Sequence, residues 1–178
     1  MNKTIFLVGY MGAGKSVIGK SLSDSLRYDF YDLDQYIEKV EGEEISEIFK
    51  NRNEVYFRKI ENKRLLELTK MSGDKIISTG GGTPCFENNI KILSHTPNST
   101  SIYLKTSISV LIERLYPKRS TRPLISHLDT KEKLKDFISK HLFERSFYYE
   151  KSNIVLETKN EEIDVIKEKI IDVLTKID

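Results

Sequence analysis

TIFLVGYMGAGKS, Thr4 to Ser16, sets a short β-rich apolar run directly ahead of a glycine-rich loop that ends in a Lys-Ser pair. The successive branched and aromatic residues, closed by Gly9, read as a buried strand. GYMGAGKS, Gly9 to Ser16, fits the GxxxxGKS pattern, and from Lys15 onward Val17, Ile18, Leu22 and Leu26 recur at helix-compatible spacing. Strand, glycine loop, helix is the context in which this pattern has a physical meaning. Glycines let the backbone curl so that successive N–H groups turn toward phosphate oxygens, and the helix N-terminus adds partial positive charge. Gly12, Ala13, Gly14, Lys15, Ser16 and Val17 are therefore candidate nucleotide contacts. Lys15 is placed to reach the β- and γ-phosphates, and Ser16 to ligate a magnesium ion bridging them. A glycine-rich turn without a ligand is the plain alternative. No NKxD-type element for guanine is present, so ATP is the expected nucleotide.

Working outward, a second strand ends near Asp32 in YDFYDLD. KIIS (Lys75 to Ser78), SIYL (Ser101 to Leu104) and NIVL (Asn153 to Leu156) supply three more. Helical text fills Ile37 to Met71, the stretch through Val110, Leu111 and Leu115, and Ile163 to Ile177. Strands alternating with helices predict an α/β fold, a parallel sheet covered on both faces. The length of 178 residues suits one domain, 1–178. YPKRSTRPLISHLD, 116–129, fits neither period, holds two prolines and three cationic residues, and is expected to form a mobile loop.

Composition narrows the class. A charged fraction of 31% with 38% hydrophobic residues fits a soluble globular chain, and the net charge of +2 gives no reason to expect nucleic acid or an anionic membrane as partner. Cys85 is the single cysteine, which excludes an intrachain disulfide. His95, His127 and His141 lack ligand spacing and read as surface or satisfied histidines. The apolar run at the start is too short to span a membrane, and a cytoplasmic monomer is the expectation. The phosphate motif leaves hydrolysis and transfer both open. Small size and a short basic lid-like loop favour a small-molecule kinase over a switch or a mechanical ATPase.

The acceptor side is read from shorter signals. Ligands of open α/β sheets sit beyond the carboxyl ends of the strands, so Asp32 and Asp34 after the second strand, and Gly80 to Gly82 after the third, should border the loop. In extended chain the two acids point to one side, one toward the metal and one toward an acceptor hydroxyl. The alternative makes Asp34 the N-cap of the helix beginning QYIEKV. STGGGTP suits close backbone approach to a ligand, or a plain loop. Arg58 lies three residues before Glu61 on one helix face, either oriented by it for a ligand or paired with it at the surface. Arg145, between Phe143 and Phe147, is a second fork able to pair with a carboxylate. Arg122, ahead of Pro123, can close over ATP from the loop, or belong to a solvated basic segment.

GYMGAGKSVIGK, the YDLD pair, FRKIE, STGGG and RPL, in this order and spacing, resemble the shikimate kinase family, and the resemblance covers nearly the whole chain. It implies the P-loop, nucleoside-monophosphate-kinase-like fold: a five-stranded parallel sheet in order 2-3-1-4-5, with 33–62 as a shikimate-binding subdomain and 116–129 as a mobile lid. It further implies ATP-dependent phosphorylation of the 3-hydroxyl of shikimate, a step of chorismate and aromatic amino acid synthesis, with one Mg2+ per subunit. Under that resemblance, Lys15 binds phosphates, Ser16 ligates Mg2+ and Asp32 holds it through water. Asp34 bonds shikimate hydroxyls and accepts the 3-hydroxyl proton. Arg58 and Arg145 take the carboxylate, Gly80, Gly81 and Gly82 line the substrate, and Arg122 reaches the phosphates from the lid. A gluconate kinase or a non-catalytic nucleotide-binding protein shares the fold, but FRxxE with the triple glycine favours shikimate. One departure stands out: where the family commonly reads RxPLY, this chain has Arg145-Ser146-Phe147-Tyr148-Tyr149, keeping the tyrosine but changing the packing beside Arg145.

Overall fold

A computed structural model describes residues 2–177. Its elements are β1 (Thr4–Val8), α1 (Lys15–Leu26), β2 (Asp29–Asp32), α2 (Leu33–Glu41), α3 (Ile45–Lys70), β3 (Lys75–Ser78) and α4 (Asn89–His95), then β4 (Ser99–Thr106), α5 (Ile108–Leu115), α6 (Lys131–Tyr149), β5 (Ile154–Thr158) and α7 (Ile163–Thr175). The five strands are parallel, in the order β2-β3-β1-β4-β5. This is the order implied by the family resemblance.

β1 lies at the centre and explains the unbroken apolar run. Ile5 and Leu7 pack with Ile18 and Leu22 of α1 and Ile166 and Ile170 of α7, while Phe6 and Val8 pack on the opposite face with Phe57, Leu111 and Ile138. With both faces covered, alternation of direction along the strand brings no alternation of polarity. The register sets Ser78 level with Leu7 on one side and with Asp32 on the other. The loops after β1, β2 and β3 therefore emerge side by side at one edge of the sheet.

Three features depart from the sequence reading. The helical text from 37 to 71 is broken by Gly42, whose φ of 70° ends α2. It is broken again inside α3 by Asn53 at φ 71° and ψ 172°. Asn53 Oδ1 accepts a hydrogen bond of 3.1 Å from the Tyr56 N–H, so residues 54–70 form a helix with its own cap. A non-glycine residue in that region of φ/ψ space costs about 1–3 kcal/mol. Residues 116–129 hold a 3₁₀ turn, Tyr116–Thr121, and anchor Ile125 and Leu128 in the core. Among the described residues, no helix is long and apolar enough to cross a membrane.

Candidate active site

Gly12 and Gly14 take φ values of 83° and 96°, which L side chains rarely adopt, and they turn the loop back onto the start of α1. Lys15 is buried and donates from Nζ to the carbonyls of Gly9 (2.8 Å) and Tyr10 (3.0 Å). Burial pulls its pKa down to about 8, against the attraction of Asp34 and Asp32, and Arg122 pushes it in the same direction as burial. The cavity over this loop measures about 480 Å³ and is bordered by Lys15, Ser16, Asp32, Asp34, Gly81 and Arg122. Gly12, Gly14 and Gly80 also line it. Val17, which the helical spacing assigned to an apolar stripe, is 56% exposed and stands at the cavity wall. Ala13 faces the core behind the loop, and its amide donates to the Tyr10 carbonyl.

Ser16 Oγ donates to Asp32 Oδ2 at 2.5 Å, with Ser78 Oγ 3.4 Å from Ser16 Oγ. Two hard oxygens thus sit together beside the phosphate loop. No group of three or more His, Cys, Asp or Glu residues suited to a metal occurs among the described residues. This donor set fits Mg2+, which keeps most of its shell in phosphate oxygens and water and needs few protein ligands.

The N-cap of α2 is Asp32, not Asp34. Asp32 keeps an extended backbone, and its Oδ1 accepts from the N–H groups of Asp34 (3.2 Å) and Gln35 (3.4 Å). The helix therefore starts at Leu33, before the QYIEKV segment, and Asp34 stands in its first turn. Both acids reach one cavity because a helix begins between them, rather than through strand alternation. Burial, then the negative charges of Asp32 and Glu61, raise the Asp34 carboxyl to about 6, with Lys15 opposing.

Gly80 lies where three polar groups meet. A Cβ there would sit 2.9 Å from Asp34 Oδ1, 2.9 Å from Thr83 Oγ1 and 3.1 Å from Glu61 Oε1. At Gly82 a Cβ would fall 2.7 Å from the Arg58 guanidinium. The triple glycine is thus a floor onto which side chains of α2 and α3 close. Gly80→Ala is expected to cost about 1–3 kcal/mol of stability. It is also expected to lower kcat/KM for the acceptor roughly tenfold or more, because Asp34 and Glu61 must both move. Kinetics with thermal unfolding on the same preparation checks this.

Arg58 is not a surface ion pair. Its NH1 donates to Glu61 Oε2 at 2.8 Å, and Glu61 is fully buried and accepts a second bond, 2.6 Å, from Thr83 Oγ1. Glu54, absent from the sequence reading, takes the other edge of the guanidinium at 3.1 and 3.2 Å, and Phe86 stacks under it at 4.0 Å.

Arg145 approaches from α6. Phe143 and Phe147, its neighbours in sequence, are 87% and 64% exposed and do not hold it. Tyr10 and Tyr149 do, with the guanidinium 5.9 Å from the Tyr10 ring centre and acting on the Tyr149 hydroxyl. Arg145 and Arg58 both act electrostatically on the Cys85 thiol at the end of the Thr83–Cys85 turn, and burial raises the pKa of that thiol to about 11. Tyr149 donates to the Gly81 carbonyl, and Asn89 Nδ2 to the Thr83 carbonyl at 2.9 Å. These supports are spread over distant parts of the chain and leave no short motif. Arg58 thus lies against Gly82, while Asp34 lies against Gly80 and borders the cavity over the phosphate loop.

The shikimate kinase family model matches residues 11–175. A shikimate kinase of Flavobacterium johnsoniae is 46% identical over 170 residues, covering 96% of this chain and 98% of that protein. The crystal structure of a shikimate kinase from Bacteroides thetaiotaomicron superposes with a TM-score of 0.90 at 32% identity, covering 97% of this chain and 98% of the other. A shikimate kinase of Acinetobacter baumannii, solved in complex with shikimate, has a TM-score of 0.86 at 31% identity over 99% of this chain and 94% of its own. Matched along nearly its whole length in both sequence and architecture, the chain belongs to the shikimate kinase family.

Proposed function

We propose that this enzyme performs its family's reaction, transfer of the γ-phosphoryl group of ATP to the 3-hydroxyl of shikimate, with the following division of labour. The observation that carries it is the meeting of Asp34, Arg58 and the triple glycine beside the Lys15–Ser16 loop. Arg58 and Arg145 pair with the acceptor carboxylate, a job for which two planar forks are suited. The backbone of Gly80 to Gly82 lies along the acceptor ring. Asp34, which borders the phosphate cavity, takes the proton of the 3-hydroxyl as that oxygen bonds to the γ-phosphorus and the bond to the ADP oxygen breaks. A carboxyl titrating near 6 is ionised at neutral pH yet basic enough to hold the proton. The A. baumannii relative, solved with shikimate, supports this acceptor.

On the donor side, loop amides and Lys15 hold the phosphates. Ser16 and Asp32 would hold one Mg2+, which neutralises phosphate charge when bound. Arg122 reaches in from 116–129, which acts as the lid, while 33–62 forms the acceptor subdomain. Arg122 borders the same cavity as Lys15 and helps to lower the Lys15 pKa, which supports this role. Arg122→Ala is expected to lower kcat roughly 10- to 100-fold with the shikimate KM within about twofold. An equal loss in shikimate KM would move Arg122 to the acceptor side.

The enzyme is read as a monomer. A single free cysteine suits a reducing, cytoplasmic setting. An ADP-release assay with shikimate and gluconate as acceptors tests the reading. Turnover is expected with shikimate alone, and turnover with gluconate alone would reassign the acceptor.

A further inference from the structure

Tyr10 is the second residue of the phosphate loop, yet its side chain packs into the core and does not line the cavity over the loop. It is 2% exposed. Its carbonyl accepts from Lys15 Nζ, and its main chain lies against the triple glycine: a Cβ on Gly81 would sit 3.8 Å from Tyr10 C and 3.3 Å from Met11 N. Its ring faces the Arg145 guanidinium, and its hydroxyl shares a 3.1 Å hydrogen bond with His141 Nδ1, 131 residues away in the chain.

His141 sits one helical turn before Arg145 on α6, on the same face. Its ring packs against Phe137, one turn earlier still, with centroids 4.1 Å apart. A hydrogen bond at this point ties α6 to the phosphate loop one helical turn before Arg145. Burial, then the Arg145 charge, holds the imidazole below its ordinary range, and burial raises the Tyr10 phenol to about 12. At neutral pH both partners are therefore uncharged, one donating and one accepting. Lys140 also disfavours the imidazolium, and Glu144 favours it.

We propose that Tyr10 and His141 are positioning residues for the acceptor, transmitting the geometry of the phosphate loop to Arg145 through their shared hydrogen bond. The inference rests on the reading of Arg145 as a carboxylate-binding residue. It predicts a split between the two substrates that a general packing defect does not produce.

The experiment is steady-state kinetics on Tyr10→Phe, His141→Leu, His141→Gln, the Tyr10→Phe/His141→Leu pair and Arg145→Ala. Tyr10→Phe and His141→Leu are each expected to raise the shikimate KM roughly three- to tenfold, with the ATP KM and kcat within about twofold. The pair should be no worse than its larger single member, because both changes break one bond. His141→Gln, whose amide can still meet the hydroxyl, should recover most of the loss. An unchanged shikimate KM in Tyr10→Phe, equal rises in both KM values, or simple additivity would overturn the inference. If Arg145→Ala raises the shikimate KM while the Tyr10 and His141 variants do not, this inference alone falls. If Arg145→Ala leaves that KM unchanged, the Arg145 reading falls and takes the inference with it.

Discussion

Asparagine in place of Asp34 is expected to lower kcat roughly a hundred- to ten-thousandfold while ATP affinity stays within about twofold. The same substitution should stabilise the fold. The folded carboxyl titrates near 6 against an ordinary 3.8, so the folded chain holds this proton more tightly than the unfolded chain does. Below about pH 3.8 the group is neutral in both states and contributes nothing. From there to pH 6 stability falls, and above pH 6 the full penalty, about 3 kcal/mol, applies. Asparagine removes that penalty, which is already net of the attraction to Lys15. Calorimetry should show the melting temperature of the variant a few degrees above that of the parent at pH 8, and little changed at pH 4. In the parent, kcat/KM for shikimate should fall below about pH 6, where the carboxyl takes up its proton. A collapse of ATP affinity in the variant would instead place Asp34 in the metal shell.

Arg58→Ala is expected to weaken shikimate binding by about 2–5 kcal/mol, through loss of two charge-assisted hydrogen bonds. That is roughly a 30- to several-thousandfold rise in dissociation constant. The variant should also lose stability, because Glu61 is fully buried and would keep only the Thr83 hydroxyl as partner. The two effects can be separated. Arg58→Ala combined with Glu61→Gln should recover stability, since no unpaired buried charge remains, but not shikimate affinity. Isothermal titration with shikimate and thermal unfolding of both variants give the answer. Unchanged affinity in Arg58→Ala would sink the carboxylate assignment.

What could be read from the sequence was what the chain decides locally. The phosphate loop is a contiguous backbone device, so Gly9 to Ser16 announce it. The Arg58–Glu61 pair is three residues apart on one helix, so its contact follows from spacing alone. β1 was legible because burial on both faces leaves an unbroken apolar run. What was hidden depends on distant packing or on small differences in backbone angle. Asp32 and Asp34 are both good caps by type, and only the extended backbone of Asp32 decides between them. α4 is seven residues long, too short for a period to show, yet it buries Asn89 and Leu93 and braces the Thr83 carbonyl through Asn89. Tyr10 and His141 meet only after the eight helices and strands between β1 and α6 have been laid down. The support of Arg145 has the same character, with Tyr10 and Tyr149 doing what its neighbouring phenylalanines do not.

The break at Asn53 bears on how far the chain ahead of Arg58 can vary. In one straight helix, inserting a single residue ahead of Arg58 would swing its side chain about 100° around the axis. Here the helix carrying Glu54, Arg58 and Glu61 takes its phase from its own cap at Asn53, not from the turns before it. Residues 45–52 touch it across the seam through side chains, with Phe49 against Phe57 at 4.7 Å. That short cover can lengthen, shorten or be recomposed while the arginine keeps its aim. The break at one asparagine therefore leaves residues 45–52 free to vary without re-registering Glu54, Arg58 and Glu61.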